Sequence, residues 1–221
     1  MSKSKEEAWE DAFDTLDKRV FSVDAIGGYG FEKTLQEFAS NDSQILDYGC
    51  GKGQLVEKLR EDGFTNVVGT DPSQNLISQA GLSDDILKVM TNNKIPYPDN
   101  YFDFSYCSGV LHHIHWDHLP TVLAELSRVL KPEGVFVFVE PRNSIWRKLG
   151  HLVVLSPLSR LYKNAFALAE CLRAEWPTYK PWLLKEKKEF IPMCKTAGFK
   201  YLKTKNKMFT TTGVIRNGKK A

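Results

Sequence analysis

The 221 residues are 42% apolar and 26% charged, which fits one ordinary globular domain and excludes a disordered chain or a coiled-coil rod. The net charge of +3 is too close to neutral for a general nucleic-acid coat, yet it hides an imbalance: residues 1–141 carry 12 Lys/Arg against 23 Asp/Glu, and residues 142–221 carry 18 against 4. The basic C-terminal part leaves room for a local anionic partner or substrate.

In chain order, an acidic lead over Glu6 to Val20 reads as helix, and Gly27-Gly28-Tyr29-Gly30 as a turn. Phe31 to Phe38 reads as a second helix, ending in the polar cluster Ser40 to Ser43. Gln44 to Tyr48 predicts a short buried strand that runs into Gly49-Cys50-Gly51-Lys52-Gly53 and a helix through Leu55, Val56 and Leu59, stopped by Gly63. The unit repeats in kind. Asn66 to Thr70 is strand-like, Asp71-Pro72-Ser73 opens a helix to Ala80, Ile86 to Met90 is a third strand and Tyr101 to Tyr106 a fourth. An amphipathic helix over Leu119 to Leu130 closes at Lys131-Pro132-Glu133-Gly134, before a fifth strand of β-formers, Val135 to Val139. Strands this apolar, alternating with helices, predict a doubly wound, mostly parallel α/β sheet with ligands at the carboxyl ends of its strands.

From Arg142 to about Lys188 the rhythm breaks into a helical insertion with a Pro/Trp loop at Trp176 to Trp182. A last helix, Glu186 to Ala197, is capped by Gly198 and followed by Phe199 to Lys205 and Met208 to Ile215, an expected antiparallel pair. The expected organisation is a single domain over 1–221: a helical cap (1–42), a core (43–141), an insertion or lid (142–188), and a closing helix and strand pair (189–221). The longest apolar candidate for a membrane span, Leu149 to Leu155, is far too short and contains Gly150 and His151. The first residues hold no apolar run typical of a secretory signal, and Cys50, Cys107, Cys171 and Cys194 form no C-x-x-C pair. A soluble cytoplasmic protein with reduced thiols is expected.

The most informative run is Asp47-Tyr48-Gly49-Cys50-Gly51-Lys52-Gly53-Gln54. Glycines between a strand and a helix let the backbone turn tightly and approach a ligand. The dinucleotide fingerprint G-x-G-x-x-G needs glycine at 54, where Gln54 stands, and the pattern is instead D-x-G-x-G-x-G. Asp47, two places ahead of Gly49, would repel a pyrophosphate and suits a ligand with an ammonium group.

These residues make the chain resemble the class I S-adenosylmethionine-dependent methyltransferases of the small-molecule type. The resemblance implies a seven-stranded Rossmann-like fold in which Asp47, Gly49 and Gly51 line the methionine part of S-adenosylmethionine, with Cys50 beside them. Val68-Gly69-Thr70-Asp71 resembles the second family motif, in which the acidic residue binds both ribose hydroxyls; a carboxylate has two oxygens at the spacing of a vicinal diol. Asp71 with Pro72 would also start a helix. Ile95-Pro96-Tyr97-Pro98 through Phe102-Asp103, Leu111-His112-His113-Ile114, Leu126 through Gly134, and Glu140-Pro141 resemble later family segments. The match is dense over 43–141 and absent from 1–28 and 142–188. Where members commonly hold an adenine-binding Asp, this chain has Thr91 and then Asn92, whose hydroxyl, amide or backbone groups would serve instead. Ser108 at the fourth strand's end completes the expected cofactor-binding set.

The function implied is methyl transfer to an oxygen, nitrogen or carbon of a small molecule, with an anionic acceptor favoured over a neutral one. His113 or His112 is the best available general base, and Tyr29, Arg142 and Arg147 are assigned to the acceptor. His112, His113, His115 and His118 invite a metal reading, His115 and His118 falling at i, i+3, but no cysteine ligand lies nearby and the family segment already accounts for His-His-Ile, so no metal is expected. Two alternatives stay open: an RNA methyltransferase, suggested by the basic tail half, and a noncatalytic cofactor-binding partner subunit.

Overall fold

The computed structural model describes residues 31–161 and 163–219. The helical lead and the glycine turn expected before Phe31, Tyr29 included, lie outside the described residues. Helix α1 (Phe31–Phe38) leads into β1 (Ile45–Tyr48), α2 (Gln54–Glu61), β2 (Val67–Asp71), α3 (Gln74–Ser78), β3 (Leu87–Val89) and β4 (Phe102–Ser108). Two single 3-10 turns, Leu111–His113 and Trp116–His118, precede α4 (Leu119–Val129) and β5 (Leu130–Pro141). The chain closes through α5 (Ile145–Val154), α6 (Lys163–Lys185), α7 (Ile191–Thr196), β6 (Phe199–Asn206) and β7 (Thr210–Asn217).

The sheet has seven strands in the order β3-β2-β1-β4-β5-β7-β6, parallel from β3 to β5, with β7 antiparallel to both β5 and β6. The doubly wound expectation and the antiparallel closing pair both hold. Because strand side chains alternate, β5 feeds two cores at once: Val135, Val137 and Val139 pack with Ile45, Val56 and Leu59 on one face, while Phe136 and Phe138 pack with Leu123, Trp182 and Phe190 on the other. Strand order reverses between β1 and β4, which opens a crevice at their carboxyl ends.

Two local expectations need correction. Lys131 to Gly134 does not close a helix as a free turn; it is a bulge inside β5, with Leu130 paired to Phe102, Val135 paired to Phe104, and Glu133 at φ 62° absorbing the extra residues. The expected loop at Trp176 to Trp182 is helix, because α6 runs through Pro177 and Pro181. Each proline removes a helical hydrogen bond, so local propensity argues for a break. Burial overrides it: Tyr179 and Trp182 are 2% and 1% exposed, and the Trp182 indole N–H donates to the Pro141 carbonyl at 2.9 Å. The expected last helix also starts as a π-helical turn, Glu186–Phe190, before α7.

Candidate active site

The carboxyl ends of β1, β2, β4 and β5 bring together residues far apart in the chain. Register places Asp47 beside Gly69 and Tyr106, and Ser108 beside Val139, one residue before Glu140. The loop after β1 needs its glycines: Gly49 sits at φ +78°, and a Cβ there would come within 2.4 Å of the Val110 side chain. At Gly51, φ +53°, the space a Cβ would occupy is open, so the backbone is bare toward the crevice.

Asp71 ties this loop down. Its Oδ2 accepts the Gly51 N–H at 2.9 Å and its Oδ1 accepts the Ser73 N–H at 2.8 Å. Each oxygen keeps a further lone pair for a ligand hydroxyl. Ser73, not Asp71, caps α3, its hydroxyl accepting the Leu76 N–H at 3.2 Å. Burial raises the Asp71 pKa against the lowering effect of these two N–H groups.

Asp47 is 5% exposed, and no hydrogen bond meets its carboxylate among the described residues. Burial first, and the charge of Asp71 second, push its pKa up to about 7. Two buried carboxylates facing one crevice are poorly compensated from within the protein. A cationic ligand resolves this. The ammonium and sulfonium of S-adenosylmethionine fit Asp47, the bare Gly51 backbone fits close approach of its methionine end, and the two half-used Asp71 oxygens fit its ribose diol.

The other expected cofactor residues lie around this crevice's rim. Cys50 is half-buried, with burial pushing its thiol far up, while Pro72 is exposed. Thr91 and Asn92 are exposed in a tight turn after β3, where Thr91 bridges Lys94 and Asn92 has φ 53°. Ser108 is half-buried and shares a hydrogen bond with Tyr106.

Beyond β4 a second cluster forms. Glu140, fully buried at the end of β5, accepts the Val110 and Leu111 N–H groups at 3.0 and 2.8 Å through Oε1, and its Oε2 lies 2.7 Å from His112 Nδ1. His112 Nε2 faces Glu175 Oε2 at 3.8 Å, and His113 Nδ1 faces Glu175 Oε1 at 3.8 Å. Burial opposes a charge on His112, but the hydrogen bond and charge of Glu140, then Glu175, win and push its pKa up to about 9. Burial and the neighbouring His112 charge push His113 down to about 4. His112 is therefore an imidazolium between two carboxylates at neutral pH, and His113 is the neutral ring of the pair.

Arg147 uses its donors internally, on the Arg142 and Phe209 carbonyls and, at 2.7 Å, on the Tyr179 hydroxyl. Arg142 gives one N–H to the Lys207 carbonyl at 3.1 Å, and its buried Nε meets no acceptor among the described residues. Sequence reasoning found both histidines but missed their carboxylate partners. Glu140 had a signal, an acidic residue ending an apolar strand; Glu175 had none, since it lies in a segment read only as insertion.

A family model described as "Methyltransferase domain" matches residues 46–138. Over that stretch the chain is similar to the class I S-adenosylmethionine-dependent methyltransferases. S-adenosylmethionine is accordingly the cofactor of this methyltransferase domain. A crystal structure of a SAM-dependent methyltransferase from Aquifex aeolicus matches 98% of this chain and 100% of its own at TM-score 0.61 and 18% identity, a likeness of fold. The mitochondrial arginine-hydroxylase NDUFAF5 of Rattus norvegicus is 32% identical over 95 residues, 42% of this chain and 27% of that protein. The ubiquinone biosynthesis O-methyltransferase of Bartonella bacilliformis is 30% identical over 118 residues, 50% of this chain and 46% of that protein. The chain thus spans less than half the length of these two curated relatives. Their names differ in reaction, so the acceptor side must be argued from this domain's own residues.

Proposed function

We propose that the protein transfers a methyl group from S-adenosylmethionine to a small, anionic acceptor. The observation that carries this is the meeting, at the carboxyl ends of neighbouring inner strands, of a carboxylate-lined cation site (Asp47, Asp71) with a histidine cluster (His112, His113, Glu175). When bound, the cofactor supplies a methyl group already activated on a sulfonium. The protein's part is positioning and exclusion of water. Asp47 would hold the cationic end, the Gly51 backbone would allow contact, Asp71 would fix the ribose, Thr91 and Asn92 would close the adenine side, and Ser108 would line the crevice at the end of β4. The acceptor would supply the lone pair and the sulfonium its own leaving group, so the protein needs no covalent nucleophile. A hydroxyl or amine acceptor must also lose a proton, and His113, the more exposed ring of the cluster, is placed to receive it.

The nearly enclosed position of His112 against Glu175 of α6 favours a slim acceptor. The unmatched Arg142 Nε, in the basic C-terminal part of the chain, supports an anionic one. Among the described residues no helix is long and apolar enough to cross a membrane, and all four cysteines are free, which supports a place in the cytoplasm. The test is transfer of radiolabelled methyl from the cofactor into a panel of small carboxylated and phosphorylated hydroxyl and amine compounds, with RNA as a comparison. Cofactor binding without transfer to any small compound would overturn the reading. On an accepted substrate, His113→Ala should lower kcat by about 10²–10⁴-fold, with cofactor Kd unchanged by calorimetry.

The cofactor site also predicts a pH dependence. With its pKa near 7 in the free protein, Asp47 is increasingly protonated as pH falls from 8 to 6, and a neutral carboxyl cannot pair with an ammonium. S-adenosylmethionine affinity should therefore weaken toward about tenfold per pH unit below 7, and binding at pH 7 should release protons. Calorimetry in buffers of different ionisation enthalpy reads both. Asp47→Asn should bind weakly with a flat profile. The same raised pKa stabilises the free fold fully below the carboxyl's ordinary value of 3.8, and that contribution is lost as pH rises through about 7.

A further inference from the structure

We propose that His112, His113 and Glu175 form a binding site for a divalent transition-metal ion, with open coordination positions for an oxygen of the acceptor. The inference rests on the reading of this cluster as the acceptor side, and it departs from the metal-free expectation drawn from sequence. The donor set is His112 Nε2, His113 Nδ1 and one Glu175 carboxylate oxygen, all within 4.8 Å of one another. Both histidine-to-Glu175 distances are 3.8 Å. Metal–ligand bonds of about 2.1 Å in tetrahedral array place donors about 3.4 Å apart, so the three groups would close on an ion by side-chain shifts of up to about 1 Å.

The surrounding contacts are those a metal-binding histidine requires. Glu140 Oε2 sits 2.7 Å from His112 Nδ1, so a neutral ring carries its proton there and presents the Nε2 lone pair to Glu175. Glu140 is itself fixed by two backbone N–H groups. The cluster holds two nearly buried carboxylates. His112 at 7% and Glu175 at 13% side-chain exposure form the closed side, and His113 at 33% marks the edge open to solvent. Two histidines and one carboxylate leave at least one position vacant, the arrangement of sites that bind and polarise a substrate. An acceptor oxygen bound there loses its proton more readily, and His113 serves as a ligand in place of a proton acceptor.

The experiment is titration of the whole metal-stripped protein with Zn²⁺ by calorimetry and with Co²⁺ by visible absorption. The expected result is one ion per chain, with Co²⁺ bands of a four- or five-coordinate site. Glu175→Gln and His113→Gln should each abolish the bands. Glu140→Gln, which keeps the side-chain shape, should weaken binding by about 10–100-fold. Thermal melts and retained S-adenosylhomocysteine binding show that each variant is folded. Absence of stoichiometric binding would overturn the metal site, as would binding lost in a His115→Ala, His118→Ala variant instead. Either outcome leaves methyl transfer standing, which is read separately by the radiolabel assay.

Discussion

Replacing Asp71 by alanine is expected to weaken S-adenosylmethionine binding by at least about 100-fold. Both carboxylate oxygens are half-used, one by the Gly51 N–H and one by the Ser73 N–H. On the proposed ribose role, the substitution would remove two charge-assisted hydrogen bonds, each contributing about 1.5–3 kcal/mol. It also frees the glycine loop, since the Gly51 bond joins the end of β2 to the turn after β1. Two lost bonds at the lower value correspond to more than a hundredfold in Kd. Calorimetry with S-adenosylmethionine and S-adenosylhomocysteine measures the loss, and a thermal melt checks that the fold persists. A Kd within threefold of the unsubstituted protein would show that the ribose is held elsewhere. Asp71→Asn should fall between, keeping one acceptor oxygen without the charge.

The second large effect is expected at Trp182, in stability. Its ring packs edge-on against Phe190 at 4.9 Å and Trp116 at 6.1 Å, and its N–H reaches the Pro141 carbonyl. Truncation to alanine in so buried a setting costs about 3–5 kcal/mol, a fall in Tm of roughly 10 °C for a chain of this size. The consequence extends to function, because Trp182 anchors the helix that carries Glu175 and Tyr179. Trp182→Ala should therefore lose activity beyond its loss of folded protein, with cofactor affinity affected far less, since Asp47, Gly51 and Asp71 lie on other elements. Denaturant titration gives the stability change, and kcat measured well below the new Tm separates the two effects. An alanine variant with undiminished Tm would mean that α6 is held by other contacts.

The cofactor half of the site was legible because its rules are local. Asp47 and the three glycines stand within one short run, and Asp71 ends the next strand. The strand–turn–helix context follows from periodicity over the same residues. The acceptor half was legible only in part. His112 and His113 stood out as residue types, yet their state could not be read without Glu140 and Glu175. Arg147, assigned to an acceptor from its charge alone, has its guanidinium bound to Tyr179 and to backbone carbonyls. The charge division near Pro141 separates an acidic stretch from a basic one, but Lys148, Lys180, Lys187, Lys188, Lys195, Lys200, Lys203 and Lys205 of the basic stretch are exposed.

By itself, then, the sequence determined the doubly wound sheet, the order of its parallel strands and helices along the chain, and the glycine loop that follows Asp47. Those features depend on side-chain alternation, on glycine's access to positive φ, and on residues a few places apart. Only the tertiary structure decided that the segment with Pro177 and Pro181 is helical, that Glu133 sits in a bulge, and that Glu175 closes on the two histidines. These depend on contacts between elements distant in the chain, where burial of Tyr179 and Trp182 outweighs what the local residues prefer. The joint between the halves is Glu140: its strand is plain in the sequence, but its role comes from a histidine that only the packing of β4 against β5 brings within 2.7 Å.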